Sequence, residues 1–218
     1  MNKISADLLL EAYANGVFPM SDSRDSQSFH WIQPKQRGLL FLDSFHVPSS
    51  LKKQLKQHNL EIRIDYDFDQ VIAACAEQTN QREDTWINNQ IIDVYTELFE
   101  KGIAHTIETW NAEKLVGGLY GLALGKVFFG ESMFSRKPNT SKIALCYLVA
   151  SLKMGGFYIL DTQFQTKHLE QFGVISIPHH IYMKHLKKCL CDDGNFGTLP
   201  SYSELDSSLG LQPSSQRS

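Results

Sequence analysis

Between residues 104 and 160 the chain alternates in a way that leaves few folds open. Segments 104–109, 114–120 and 126–131 are strand-like, and short polar or glycine-bearing links join them. That spacing predicts three antiparallel strands in a meander. Ser141 then opens a helix that is apolar almost all round and stops at Gly155-Gly156. Ser is a good N-cap and the glycine pair a good stop, and a helix with no polar face must be buried. An apolar strand follows at 157–160, with Asp161-Thr162-Gln163 at its end. A buried helix between a meander and a further strand calls for a layered α+β core.

The flanking segments fit around that core. Residues 5–15 read as a short helix with Leu8, Leu9, Ala12 and Tyr13 on one face, stopped by Asn15-Gly16. Strands are expected at 29–31 and 38–42 around a Pro34-Lys35 turn, and a basic helix at 51–58 after Val47-Pro48-Ser49-Ser50. These form a small β-rich N-terminal domain, residues 1–59. The alternating segment 60–64 suits a half-buried strand, and helical patterns follow at 67–77 and 88–101, the second ended by Gly102. A short helix is expected at 165–171, and Pro178 starts a last one to about Cys189. Residues 60–191 make the second domain. Beyond it, residues 192–218 are rich in Ser, Gly and Asp and read as a disordered tail. The order of strand, helices, antiparallel strands, helix, strand and helix resembles an acetyltransferase-like (GNAT) α+β domain.

The formal charge of −3 over 218 residues excludes a globally basic nucleic-acid binder but leaves room for a local basic patch. Of Cys75, Cys146, Cys189 and Cys191 only the last two are close, and no Cys/His set has zinc-ligand spacing. The pair reads as reduced surface thiols, which suits a cytoplasmic protein. Leu8-Leu9-Leu10 is flanked by Asp7 and Glu11, too short a run for a secretory signal. No window approaches the roughly 18 apolar residues of a membrane span, so a soluble chain is expected.

Several ordered blocks carry a more specific signal. Val116-Gly117-Gly118-Leu119-Tyr120-Gly121, then Gly130-Glu131-Ser132-Met133-Phe134-Ser135 and Ser141-Lys142, closely resemble the leucyl/phenylalanyl-tRNA–protein transferase family. Its signature reads GG-x-YG…F-x-GESMFS-x(5)-SK. On either side, Tyr13-Ala14-Asn15-Gly16-Val17-Phe18-Pro19-Met20, Trp31, Pro34, Arg37-Gly38, Thr85-Trp86-Ile87, His105, Glu108, Trp110, Asp161-Thr162-Gln163 and His168-Leu169 continue the resemblance over about residues 5–190. Two departures stand out. His179-His180 follow Pro178 where members usually carry two arginines, which implies weaker or pH-dependent RNA contact if those arginines hold RNA. Thr106 replaces a common serine after His105.

The resemblance implies transfer of Leu, Phe or Met from aminoacyl-tRNA to the N-terminal Arg or Lys of an acceptor protein, marking it for degradation. An ester is already an activated acyl donor, so neither ATP nor a metal or other cofactor is expected. An α-amino group with a pKa near roughly 8 is partly neutral at pH 7. The enzyme must then align the two ends, accept a proton and stabilise an oxyanion. Asp161 and Gln163, two apart at a strand end, share a face and are the expected base or electrostatic partner and the nearer contact to the amine. A strand-end aspartate also commonly caps the next helix. Glu131 is expected in the pocket, on the donor's α-amino group or the acceptor's cation, or else as a plain solvent-facing carboxylate. On a regular strand it would share a face with Phe129 and Met133, unless a bulge at Gly130 intervenes.

Leu119, Phe128, Met133, Leu145 and Leu160 are the expected side-chain pocket, with Trp86 also against the substrate. Such residues in strands are more often plain core. A pocket of this type separates substrates by about 1–3 kcal/mol per methylene, in keeping with a tolerant enzyme. Trp31 and Trp86 are candidates to stack on the terminal adenosine of tRNA. Lys52, Lys53 and Lys56, with Arg63 after them, form a candidate phosphate patch, although lysine-bearing helix faces are usually just solvated. The remaining histidines are expected to be structural, and the protein a monomer. Two other classes compete. A CoA-dependent acetyltransferase would need a glycine-rich pyrophosphate turn, but 135–141 contains no glycine. A non-catalytic tRNA-binding module would not need Asp161, Gln163 and Glu131 together. A relative acting on acidic N-termini would carry different signature blocks.

Overall fold

The structure, a computed structural model, describes residues 4–78 and 84–211. In chain order the elements are α1 (Ala6–Ala14), β1 (Phe18–Met20), β2 (His30–Ile32), β3 (Gln36–Phe41), α2 (Ser49–Gln57), β4 (Glu61–Ile64), α3 (Phe68–Cys75) and α4 (Asn89–Glu100). They continue with β5 (Ala104–Asn111), β6 (Lys114–Leu124), β7 (Val127–Ser135), α5 (Thr140–Met154), β8 (Ile159–Gln163), α6 (Lys167–Glu170), β9 (Ile175–Pro178), α7 (His179–Cys189) and α8 (Tyr202–Leu209). The fold is mixed α+β.

Among the described residues, seven strands form one sheet in the order β4-β5-β6-β7-β8-β3-β9, and β1 pairs with β2 in a separate ribbon. Every neighbouring pair in the large sheet is antiparallel except β7–β8, which is parallel. A parallel pair needs a long crossover, and the all-apolar α5 supplies it. The expected meander is present, but β6 and β7 run on to Leu124 and Ser135 and meet in a tight turn at Gly125.

Side chains alternate across the sheet, as strand geometry dictates. Leu39, Tyr120, Phe129 and Ile159 join one core with α1, α3, α4 and α7, while Leu40, Leu119, Phe128 and Leu160 join a second with α2, α5 and α8. α5 is buried on nearly every side, from Thr140 through Leu152.

Three expectations are corrected. The boundary at residue 59 falls beyond elements that belong to the large sheet: β3 pairs with β8 and β9, and α2 buries Leu51 and Leu55 in the core beneath α5. Turn residues at 34–35 and a basic sequence in α2 gave no hint of those distant partners. The supposed tail is structured through residue 211. α8 begins with a Ser201/Glu204 capping box and buries Leu205 against the α5 side, with Leu209 and Leu211 beside it. Residues 212–218 lie outside the described residues. Finally, Leu8 faces out at 46% exposure while Leu9 and Tyr13 are buried, so α1 has a narrower apolar face than expected. Two strands were missed, β1 and β9, both short and without clear alternation.

Candidate active site

The parallel β7–β8 ladder runs through Val127↔Ile159, Phe128↔Leu160 and Phe129↔Asp161 and then stops. Beyond that point the register of β7 against β6 slips: Tyr120 faces Ser132 while Gly121 faces Gly130, leaving Glu131 as an extra, unopposed residue. This bulge breaks the regular alternation, so Phe129 points to the α4 side and Met133 to the α5 side. Gly121 is required here, since a Cβ would collide with the Phe129 carbonyl and the Phe128 ring.

A pocket of about 280 Å³ opens at the gap between β7 and β8. Its apolar wall is Leu119, Met133, Leu145, Leu148, Leu160 and Leu169; Glu131 and Gln163 supply polar groups, and Ser132, Thr162, Thr166 and His168 also line it. The size is at the small end for ligand pockets and suits one amino-acid side chain rather than a large cofactor. Leu119, Met133, Leu145 and Leu160 are thus brought together as expected. Phe128 is not part of the lining; it is fully buried and stacks on Phe196, a residue of the segment expected to be disordered. Trp86 does not line the pocket either. It is half-buried against the α4-side core, and its carbonyl accepts from the Ser21 amide.

Glu131 is held by two tyrosines that sequence reasoning gave no role. Tyr13 of α1 donates to one carboxylate oxygen at 2.7 Å and Tyr95 of α4 to the other at 3.0 Å, and the two hydroxyls contact each other. Gln163 Nε2 donates to Glu131 Oε1 at 3.2 Å. Burial pushes the Glu131 carboxyl up to about 7, with the tyrosine hydrogen bonds opposing it. Both tyrosines are raised well above the ordinary value, by burial first and then by the Glu131 charge. The signal for Tyr13 was its place in the Tyr13-Ala14-Asn15-Gly16 block. Tyr95 reads as an ordinary core position of α4.

Asp161 does not cap the next helix: the α6 N-cap is Thr166. It lies fully buried and accepts from Arg37 Nε at 2.9 and 3.1 Å, from the Tyr182 hydroxyl at 2.6 Å and from the Gln163 amide at 2.9 Å. Arg37 is equally buried, between the Phe18 and Tyr182 rings, with Nη1 on the Gly16 carbonyl. Burial works against the Arg37 charge, and Asp161 and Tyr182 outweigh it, leaving the guanidinium above its usual value.

The proposed RNA contacts divide. Trp31 is 38% exposed and meets Phe29 edge-on. Lys53 and Lys56 are exposed on α2, whereas Lys52 donates to the Gly210 carbonyl. Arg63 pairs with Glu61 at 2.7 Å and lies over the Tyr66 and Trp110 rings, so it is already engaged. His105 bonds Asp65, while Glu108 accepts from Trp110, Thr106 and the backbone of Tyr66 and Asp67, a structural network away from the pocket. His179 donates its amide to Lys35 and packs on Tyr182, while His180 is exposed. Cys189 is buried, not a surface thiol as expected; Cys191 is exposed. No group of three or more metal-ligating side chains occurs among the described residues, and no described helix is long and apolar enough to cross a membrane.

A side-chain-sized apolar pocket that ends on a carboxylate and a primary amide suits an enzyme that handles an amino acid. The model of the leucyl/phenylalanyl-tRNA protein transferase family matches residues 39–187, and that of the family's N-terminal domain matches residues 2–35. A leucyl/phenylalanyl-tRNA–protein transferase of Paramagnetospirillum magneticum is 53% identical over 90% of this chain and 94% of its own length. One from Maricaulis maris is 44% identical over the full length of both. The chain belongs to the leucyl/phenylalanyl-tRNA–protein transferase family, with a separate N-terminal domain that contains α1, β1 and β2. Among solved structures, a functionally unknown conserved protein from Staphylococcus epidermidis shares 11% identity over 81% of this chain and 66% of that one, at a TM-score of 0.41, too low to define the fold.

Proposed function

We propose that this chain transfers Leu or Phe, and also Met, from aminoacyl-tRNA to the α-amino group of proteins that begin with Arg or Lys. The observation that carries this reading is Glu131 and Gln163 joined at 3.2 Å in the wall of an apolar pocket, within a family of that activity. The donor's side chain enters between Leu119, Met133, Leu145 and Leu160, which brings its α-ammonium toward the ionised Glu131. The acceptor's neutral amine attacks the ester carbonyl carbon, with the Gln163 side-chain oxygen accepting a hydrogen bond from it. The C–N bond forms, the C–O bond to the ribose breaks, and the proton lost by nitrogen ends on the ribose hydroxyl. Trp31 and Trp86 stack with the terminal adenosine, and Lys53 and Lys56 meet phosphates.

The chain works as a monomer in the cytoplasm, and the modified protein becomes a degradation substrate. The splayed parallel pair β7–β8, bridged by α5, supports the acetyltransferase-like (GNAT) class for the large domain. CoA itself is a poor fit, because residues 135–141 offer no glycine and Thr140 is committed to the Val116 and Lys137 carbonyls.

The test is transfer from labelled Leu-tRNA to peptides beginning with Arg, Lys, Asp or Ala, with acetyl-CoA as donor in parallel. Transfer to Arg and Lys peptides alone is expected. Acetyl transfer without aminoacyl transfer overturns the reading.

A further inference from the structure

Gln163 adopts φ 55°, a left-handed conformation that a residue with a Cβ takes only at a conformational cost. Such strain persists only where the surroundings over-determine it. Here its amide is held by Asp161 Oδ1 at 2.9 Å, and its strand partner is Gly38, where any Cβ would strike the Phe164–Gln165 backbone. Asp161 can hold that amide because Arg37 and Tyr182 fix its remaining oxygen positions, and neither Arg37 nor Asp161 reaches solvent. A carboxylate has about four acceptor sites, and three donors occupy them: the Gln163 backbone N–H, the Tyr182 hydroxyl and the Arg37 Nε–H shared between both oxygens. A carboxylate so occupied is poorly placed to take a proton from an amine.

We propose that Arg37 is a positioning residue of the transfer reaction: through Asp161 it locks Gln163 in the left-handed turn that aims its amide at Glu131 and the pocket. This rests on the role given to Gln163 above. Asp161 is then a strut rather than a base. Arg37 suits the task because it stays protonated when buried, and because its planar fork serves Asp161 through Nε and the Gly16 carbonyl through Nη1 at the same time. Phe18 and Tyr182 lie 4.7 and 4.8 Å from the guanidinium carbon and sandwich it. The Gly16–Phe18 segment belongs to the N-terminal domain, so the same residue ties that domain to the strand bearing Gln163. A lysine in this place would keep a charge but could not make both contacts in one plane.

The experiment is a double-mutant cycle in single-turnover and steady-state transfer, with Arg37→Lys and Gln163→Ala alone and together and with folding checked by circular dichroism and thermal melting. Arg37→Lys is expected to lower kcat on the order of tenfold or more with the Leu-tRNA KM within about twofold, yet to cost under about twofold in the Gln163→Ala background. A purely structural role would not produce that coupling. Equal losses in both backgrounds, or a rise in KM with kcat intact, overturn the proposal. If Gln163→Ala transfers at the wild-type rate, the role of Gln163 itself fails, and that outcome is separate from additivity. Should Arg37→Lys fail to fold, Tyr182→Phe decides by the same comparison, since it removes one hydrogen bond to Asp161 and keeps the ring.

Discussion

Gln163 Nε2 reaches Glu131 Oε1 across 3.2 Å, joining β8 to β7 just past Phe129↔Asp161, where their parallel ladder ends. Two strands that part without a helix or loop between them would leave backbone groups to water. Here the opening is bridged by side chains instead, and the bridge lies in the pocket wall. Glu131 is therefore the group most exposed to a change in substrate charge. Its carboxyl, pushed up to about 7 by burial, ionises as pH rises through neutrality. On the proposed reading, the donor's α-ammonium pairs with the ionised form. Donor affinity should strengthen over that window, and Glu131→Gln should raise the Leu-tRNA KM roughly 10- to 100-fold at pH 8, as loss of a charged hydrogen bond does. KM measured from pH 6 to 8.5 checks this. A mutant with the wild-type pH dependence would remove Glu131 from donor binding.

The same carboxyl predicts a stability effect of definite sign. Its folded pKa, about 7, lies above the ordinary glutamate value of 4.5, so the folded state binds more protons between the two. A carboxyl raised in this way contributes stability that is fully present below pH 4.5 and is lost as pH rises through about 7. Glu131→Gln removes that loss. Relative to wild type, the mutant should gain on the order of 2–3 kcal/mol between pH 5 and pH 8. Urea midpoints at the two values test it, and a constant difference between mutant and wild type would contradict it.

The secondary structure around the pocket was largely legible in sequence because it rests on local patterns, whereas the pocket's lining was expected only from the family resemblance. Strand alternation, the all-apolar α5 and its Gly155-Gly156 stop each declare themselves within a few residues. The N-terminal boundary and the tail were not legible, since β3 pairs with β8 more than a hundred residues away and α8 is stabilised by packing on α5, as in the Lys153–Ser208 contact 55 positions apart, rather than by any pattern of its own. Arg37 shows the same limit within the site. Arg37-Gly38 stood in the family resemblance without a role, and only the fold brings Arg37 to Asp161, 124 positions along the chain. Phe128 is the reverse case: its motif was right, but its face of β7 belongs to the Phe196 stack rather than the pocket.

Met133 and Leu145 come from different elements, β7 and α5, and both line the pocket that the proposed reading gives to the donor's side chain. Met133→Ala enlarges it without touching Glu131 or Gln163. Preference should move from Leu toward Phe by about 1–2 kcal/mol, near 5- to 30-fold in the ratio of kcat/KM values. Competition between Leu-tRNA and Phe-tRNA at fixed acceptor reads this directly. An unchanged ratio would place the donor's side chain elsewhere.

The basic patch separates into free and engaged cations, and salt dependence distinguishes them. Lys53 and Lys56 extend from an exposed face of α2, while Arg63 is held by Glu61 and two aromatic rings. Each phosphate contact contributes a slope of roughly 0.7–0.9 to the dependence of log affinity on log salt. Lys53→Ala and Lys56→Ala should each lower the slope for tRNA binding by about that amount and weaken binding alike for Leu-tRNA and Phe-tRNA. Arg63→Ala should leave the slope unchanged, because its charge is already neutralised by Glu61 in the free protein. Filter binding of aminoacyl-tRNA from 50 to 300 mM salt, on the order of the range over which such contacts titrate, makes the comparison. A slope that falls only with Arg63→Ala would move the RNA path from α2 to the β4 edge of the sheet.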